Sequence, residues 1–97
     1  MTSEKCILVL SSNFKKQYKK VSKQEKDLNK TDNLIDKLAK REELEPKYKD
    51  HKLINDKYYI NCRVCHIWPG WLLVYQYEDN ILNLLLVTTG SHIKIFK

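Results

Sequence analysis

The chain contains no apolar run of transmembrane length, which excludes a helical membrane span. The stretch Met1 to Leu10 carries too short an apolar run for a secretory leader, and Glu4 falls in its front region, so a cytoplasmic location is expected. Cysteine is scarce. Three cysteines, an odd number without a leader, fit reduced thiols better than a disulfide framework. No internal repeat, low-complexity segment or obvious metal cage appears, so neither a metal nor a cofactor is expected. Acid is missing between Phe14 and Lys23, where five lysines lie: Lys15, Lys16, Lys19, Lys20 and Lys23. At 97 residues the chain makes one domain, 1–97, with no room for a second site-bearing module.

What is present is positive charge and well-placed histidine. Eighteen Lys and Arg against 12 Asp and Glu give a net charge of +6, which suits nucleic acid, an anionic membrane surface or an acidic protein. The lysine run reads as a solvated helix face or as a surface for RNA phosphates, and the missing acids favour the second. All three histidines lie in the second half at points where a chain turns: His51, His66 and His92. Imidazole exchanges protons near neutral pH, so a basic protein with this set suggests acid–base chemistry on RNA.

The periodicities order the elements. Cys6 to Leu10 reads as a strand, and Ser11, Ser12 and Asn13 offer a helix cap. Phe14, Tyr18 and Val21 follow at helical spacing. Ser22-Lys23-Gln24-Glu25 has the capping-box pattern and predicts the start of a second helix, with Leu28, Leu34, Ile35, Leu38 and Ala39 as its apolar stripe. Pro46 to Asp56 reads as a loop. Lys57 to Ile67, Trp71 to Tyr77 and Ile81 to Thr88 predict strands, Gly90 a stop, and His92 to Phe96 a last helical turn. The expected fold is α+β, in the order β-α-α-β-β-β, with a four-stranded antiparallel sheet packed on a helical hairpin.

Cys62-Arg63-Val64-Cys65-His66 matches the haem-attachment signature C-x-x-C-H and half of a zinc site. Strand alternation argues against both, because it sends Cys62 and Cys65 to opposite faces. Two small buried hydrophobes are expected instead.

Four segments carry a resemblance. Pro46-Lys47-Tyr48-Lys49-Asp50-His51-Lys52-Leu53 resembles the P-x-Y-K-D-H-x-L segment of YafQ-type toxins, in the RelE/ParE superfamily. Arg63-Val64-Cys65-His66 resembles their R-[DE]-x-H, and Trp71-Leu72-Leu73-Val74-Tyr75 their W-x-L-[IV]-Y strand. Thr89-Gly90-Ser91-His92, with Phe96, resembles the closing T-G-[ST]-H-x-x-[LI]-F.

The resemblance implies the toxin of a type II toxin–antitoxin system: a ribosome-dependent, metal-independent endoribonuclease that cuts mRNA by 2′-OH attack. It implies mRNA and ribosomal RNA as partners, together with an acidic antitoxin. His51, His66 and His92 become the acid–base set, with His92 as general acid. Trp71 and Phe96 fall where the family holds substrate or shapes the site, and Lys49 and Lys52 would add charge, as would Lys94. Three positions depart from the pattern: Gly70 replaces an aspartate, Thr88 an arginine and Val64 an acid. A weakened or inactive toxin fold that binds ribosome or antitoxin without cutting is therefore the alternative. Plainer readings also stand. His51 suits a surface loop, His66 a bond to a carbonyl, His92 a helix cap and Trp71 a core position. Trp68 suits either a stacking surface or a turn anchor.

Overall fold

Ser11 closes one element and opens the next. Its hydroxyl accepts a hydrogen bond from the Phe14 N–H at 2.9 Å, capping a helix, and donates to the Val87 carbonyl at 2.6 Å. In the computed structural model, which describes residues 5–23, 28–54, 56–78 and 82–96, that residue joins strand β1 (Ile7–Leu10) to helix α1 (Ser12–Lys23). Helix α1 buries Phe14 and Val21 and turns Lys15, Lys16, Lys19 and Lys20 to solvent. Helix α2 (Leu28–Ala39) buries Thr31, Leu34, Ile35, Leu38 and Ala39. It ends where Arg41 takes φ 59°, with Arg41 N–H bonded to the Leu38 carbonyl and Glu42 N–H to that of Lys37, so the last orphan carbonyls are satisfied.

A 3₁₀ turn (Pro46–Tyr48) leads to the two-residue strand β2 (His51–Lys52), then to β3 (Arg63–Trp68), β4 (Trp71–Glu78), β5 (Asn83–Ser91) and the short helix α3 (His92–Ile95). The sheet order is β1-β5-β4-β3-β2. Strands β2 to β5 run antiparallel to their neighbours, while β1 lies parallel to β5, Ile7 beside Asn83 and Leu10 beside Leu86.

The α+β class and the helical hairpin agree with the sequence reading, but four particulars differ. The sheet has five strands, one of them parallel, because the stretch expected to be loop contributes β2. Residues 57–62 are turn rather than strand: the Asp56 carboxylate accepts from the Tyr58 and Tyr59 N–H groups, and Asn61 takes φ 60°. Ser22 lies inside α1 and does not open α2; its capping partner Glu25 lies outside the described residues. Gly90 does not stop β5 but lies buried within it, opposite Leu72.

Two cores flank the sheet. The larger gathers Phe14, Leu34, Ile35 and Leu38 from the helices against Cys65, Ile67, Leu73, Tyr75, Leu84 and Leu86. The smaller, on the opposite face, holds Cys62, Val64, Leu72 and Val74 beneath Leu53, Tyr59, Ile95 and Phe96. Cys62 and Cys65 thus lie in different cores, as strand alternation requires. All three cysteines are free and buried, and burial pushes the Cys65 thiol up to about 12. Among the described residues no helix is long and apolar enough to cross a membrane.

Candidate active site

The three histidines gather around the smaller core. His51 pairs with Val64 across β2 and β3, and paired residues share a sheet face. Val64 belongs to the small core, and His66, two residues further along β3, projects from the same side. His92 opens α3, whose Ile95 and the following Phe96 pack on that core. Its backbone N–H bonds the Gly70 carbonyl at 2.9 Å, tying α3 to the β3–β4 turn. Gly70 takes φ 76° there, a left-handed conformation that glycine adopts without strain.

Electrostatics reports the same convergence. Burial, then the neighbouring Lys49, His51 and His92 side chains, hold the His66 imidazolium below its usual 6.5. His66 is therefore largely neutral at pH 7, ready to accept a proton.

His51 is exposed but oriented. Its Nδ1 lies 2.7 Å from the Lys49 carbonyl, and a carbonyl only accepts, so Nδ1 is the donor and, in the neutral ring, Nε2 keeps the lone pair. Lys49 itself takes φ 48°, and its N–H bonds the Pro46 carbonyl at 3.0 Å. Behind this bend stands a polar lock that the sequence reading passed over. The Arg63 guanidinium meets the Asp50 carboxylate at 3.2 Å and the Tyr75 hydroxyl at 3.3 Å, and the Tyr75 hydroxyl donates to Asp50. Burial first, and then the bond to Asp50, hold the Tyr75 phenol well above its ordinary range. Asp50 thereby fixes the residue next to His51 to two sheet strands. The clue was an acid beside one histidine and an arginine three positions before another, but only the β2–β3 pairing shows that they meet.

Other expected site residues divide. Phe96 stands 5.3 Å from the His92 ring and meets Tyr59 edge-on at 5.9 Å, so it props His92 against the small core. Trp71 is half-buried, pairs with Ser91 and packs against the large core. Lys52 pairs with Arg63, one step out of phase with His51, and borders a separate hollow with Leu53 and Ile60. It is not brought to the histidines. Lys94 is exposed on α3.

The lysines of α1 ride a helix packed on β5, two strands away from β3, and the side chain of Lys23 is not described. Of the departures, Val64 and Thr88 are buried, and the Thr88 hydroxyl donates to the Asn13 side chain. Nothing lies within 4 Å of where a Gly70 side chain would begin. Among the described residues no cluster of three or more His, Cys, Asp or Glu could hold a metal ion.

Residues 7–97 match the YafQ family, described as the bacterial toxin of type II toxin–antitoxin systems. The chain belongs to the YafQ toxin family. The mRNA interferase toxin YafQ of Escherichia coli strain B is 33% identical over 87 residues, covering 89% of this chain and 90% of that protein. A metal-bound toxin from Helicobacter pylori superposes with TM-score 0.86 at 36% identity, covering 94% of this chain and 99% of its own. A YafQ chain in the Escherichia coli DinJ–YafQ complex gives TM-score 0.83 at 31% identity, with 95% and 99% covered. The order of sequence segments and the spatial order of strands thus lead to one family.

Proposed function

We propose that this YafQ-family toxin is a ribosome-dependent endoribonuclease that cuts mRNA by the metal-independent route its resemblance implies. The observation that carries the reading is geometric: His51, His66 and His92 are carried to the rim of one small core by β2, β3 and α3. In this reaction the ribose 2′-oxygen forms a bond to the adjacent phosphorus and the bond from phosphorus to the 5′-oxygen breaks. The 2′-OH proton passes to a base, and the leaving oxygen takes one from an acid. His92 serves as the acid. His51 and His66 share the base and phosphate-orienting duties, and the Nε2 lone pair of His51 suits the first of these. Lys49 contributes charge to the phosphorane. The name mRNA interferase carried by the Escherichia coli relative supports the same reading.

A second reading rests on a specific observation. The positions that depart from the family pattern are committed to packing: Val64 and Thr88 are buried, and Gly70 brings no side chain. A toxin fold that binds without cutting is consistent with that. Induction of the protein in growing cells, followed by primer extension on translated mRNA, separates the two. New 5′ ends support the nuclease. Growth arrest without new ends supports binding alone.

The partner is expected to be an acidic antitoxin. Strand β1 is an edge strand with Ile7 66% exposed, and beside it runs an apolar groove bordered by Leu8, Phe14, Ile35 and Lys15. An antitoxin segment laid there would cover apolar surface, and its acids would meet the net charge of +6. The Escherichia coli DinJ–YafQ complex supports pairing with an antitoxin.

A further inference from the structure

His66 and Lys49 also border a cleft of about 290 Å³, away from the small core, whose other lining residues the proton-transfer scheme leaves unused. It is walled by the 3₁₀ turn, the end of β3 and one residue of α2. Its composition is one-sided. Lys30, Lys47 and Lys49 all border it, and none of its lining residues is a carboxylate. The Lys47 ammonium stands 5.2 Å from the centre of the Tyr48 ring, and Lys30 stands 5.8 Å from the same ring. Tyr48 packs on the large core, so it is a fixed post against which both ammonium groups rest. Three cations around a cleft without a carboxylate favour an anion inside it. Trp68, whose motif position left it without a role, forms part of the same wall, at the hairpin where β3 turns into β4.

We propose that this cleft is a subsite for the RNA nucleotide adjoining the scissile one, its phosphate on Lys30 and Lys47 and its base stacked on Trp68. The inference rests on the nuclease reading for which nucleotide is bound, but the binding itself does not require cutting. Aromatic stacking with lysine contacts accepts any base, so the subsite fixes the path of the strand and leaves sequence choice to other contacts. It also gives His66 two neighbours of different purpose, the reacting phosphate on one side and the next phosphate on the other.

Two measurements test it. In the first, Trp68 fluorescence is read in a His92→Ala/Trp71→Phe protein titrated with a short oligouridylate, so that no cutting and no second tryptophan intervene. Quenching is expected, and Lys30→Ala with Lys47→Ala should shift it to about tenfold higher RNA. RNA binding that leaves Trp68 unquenched, or an affinity indifferent to the two lysines, overturns the subsite. In the second, the otherwise wild-type Lys30→Ala/Lys47→Ala protein is assayed by single-turnover cleavage on ribosomes carrying a defined mRNA. The half-saturating toxin concentration is expected to rise about tenfold with the maximal rate within about twofold of normal. An unchanged half-saturation with intact cleavage overturns the subsite and leaves the nuclease standing. Trp68-dependent quenching by a protein that never cleaves supports the subsite and removes the nuclease.

Discussion

The two faces of the sheet divide the work between them. On one, two amphipathic helices and the sheet bury a large apolar core that includes Leu38 and Tyr75. On the other, a few residues under a one-turn helix make a small core, and the histidines stand around its rim. The large core supplies most of the apolar burial that stabilises a domain of this size. The small one contributes less and orients more. Phe96 and Tyr59 fill space there, and what they position is His92. Asp50, Arg63 and Tyr75 couple the faces, bonding from the large-core side to the bend that leads into β2 and His51.

If this division holds, damage to each face has its own signature. Leu38→Ala opens a cavity in the large core and should cost about 2–5 kcal/mol of stability. Thermal unfolding reads that loss, while cleavage per folded molecule at low temperature should stay near normal. Asp50→Asn attacks the coupling point. It removes a carboxylate from a partly exposed ion pair and weakens the acceptor for Tyr75, for a stability loss of about 1–2 kcal/mol. Cleavage should fall about tenfold as well, because His51 loses its fixed approach. A variant that loses stability and keeps its full rate would show that the lock supports the fold alone.

The pH dependence is a smaller effect with a definite sign. His66 has its pKa lowered below 6.5 in the folded chain, so the unfolded chain binds the proton more readily. Its contribution to stability is present above pH 6.5 and is lost as the pH falls through the lowered value. Activity that needs neutral His66 should decline in the same direction. A His66→Gln variant, which keeps a hydrogen-bonding group without the titration, should flatten that part of a denaturant-midpoint series against pH. The smallest effect belongs to α1. Lys15→Ala with Lys19→Ala should leave stability within about 0.5 kcal/mol and reduce only the salt dependence of ribosome binding. An unchanged salt slope would remove that helix from the RNA-facing surface.

The same contrast explains what could be read from the amino acids alone. The large core was legible because Phe14, Tyr18, Leu34 and Leu38 fall at helical spacing and Ser11 caps the first run. The stripe of α2 was placed although its start was not, since a Ser-x-x-Glu pattern fits the inside of a helix as well as its opening. The small face was harder. Strand β2 has two residues, too few to carry a period, and its pairing with β3 is visible only in space. Tyr58 and Tyr59 favour a strand by type, but the Asp56 carboxylate and the left-handed Asn61 turn the chain there. Strand β1 was recognised, yet its parallel pairing with β5 depends on the whole chain between them. The histidines could be named from their motifs. The bonds that hold them, Lys49 carbonyl to His51 and Gly70 carbonyl to His92, are visible only in space, and no glycine announces the left-handed bend at Lys49.

One comparison of rates bears most directly on the claim that separate imidazoles serve one phosphodiester. Single-turnover cleavage of ribosome-bound mRNA is measured for the wild type, His51→Ala, His92→Ala and the double variant. Groups that act as acid and base in one step should each cost about a hundredfold or more when removed, and the double variant should be little slower than the worse single. Single variants that cleave at the wild-type rate, or losses that multiply in full, would contradict the account.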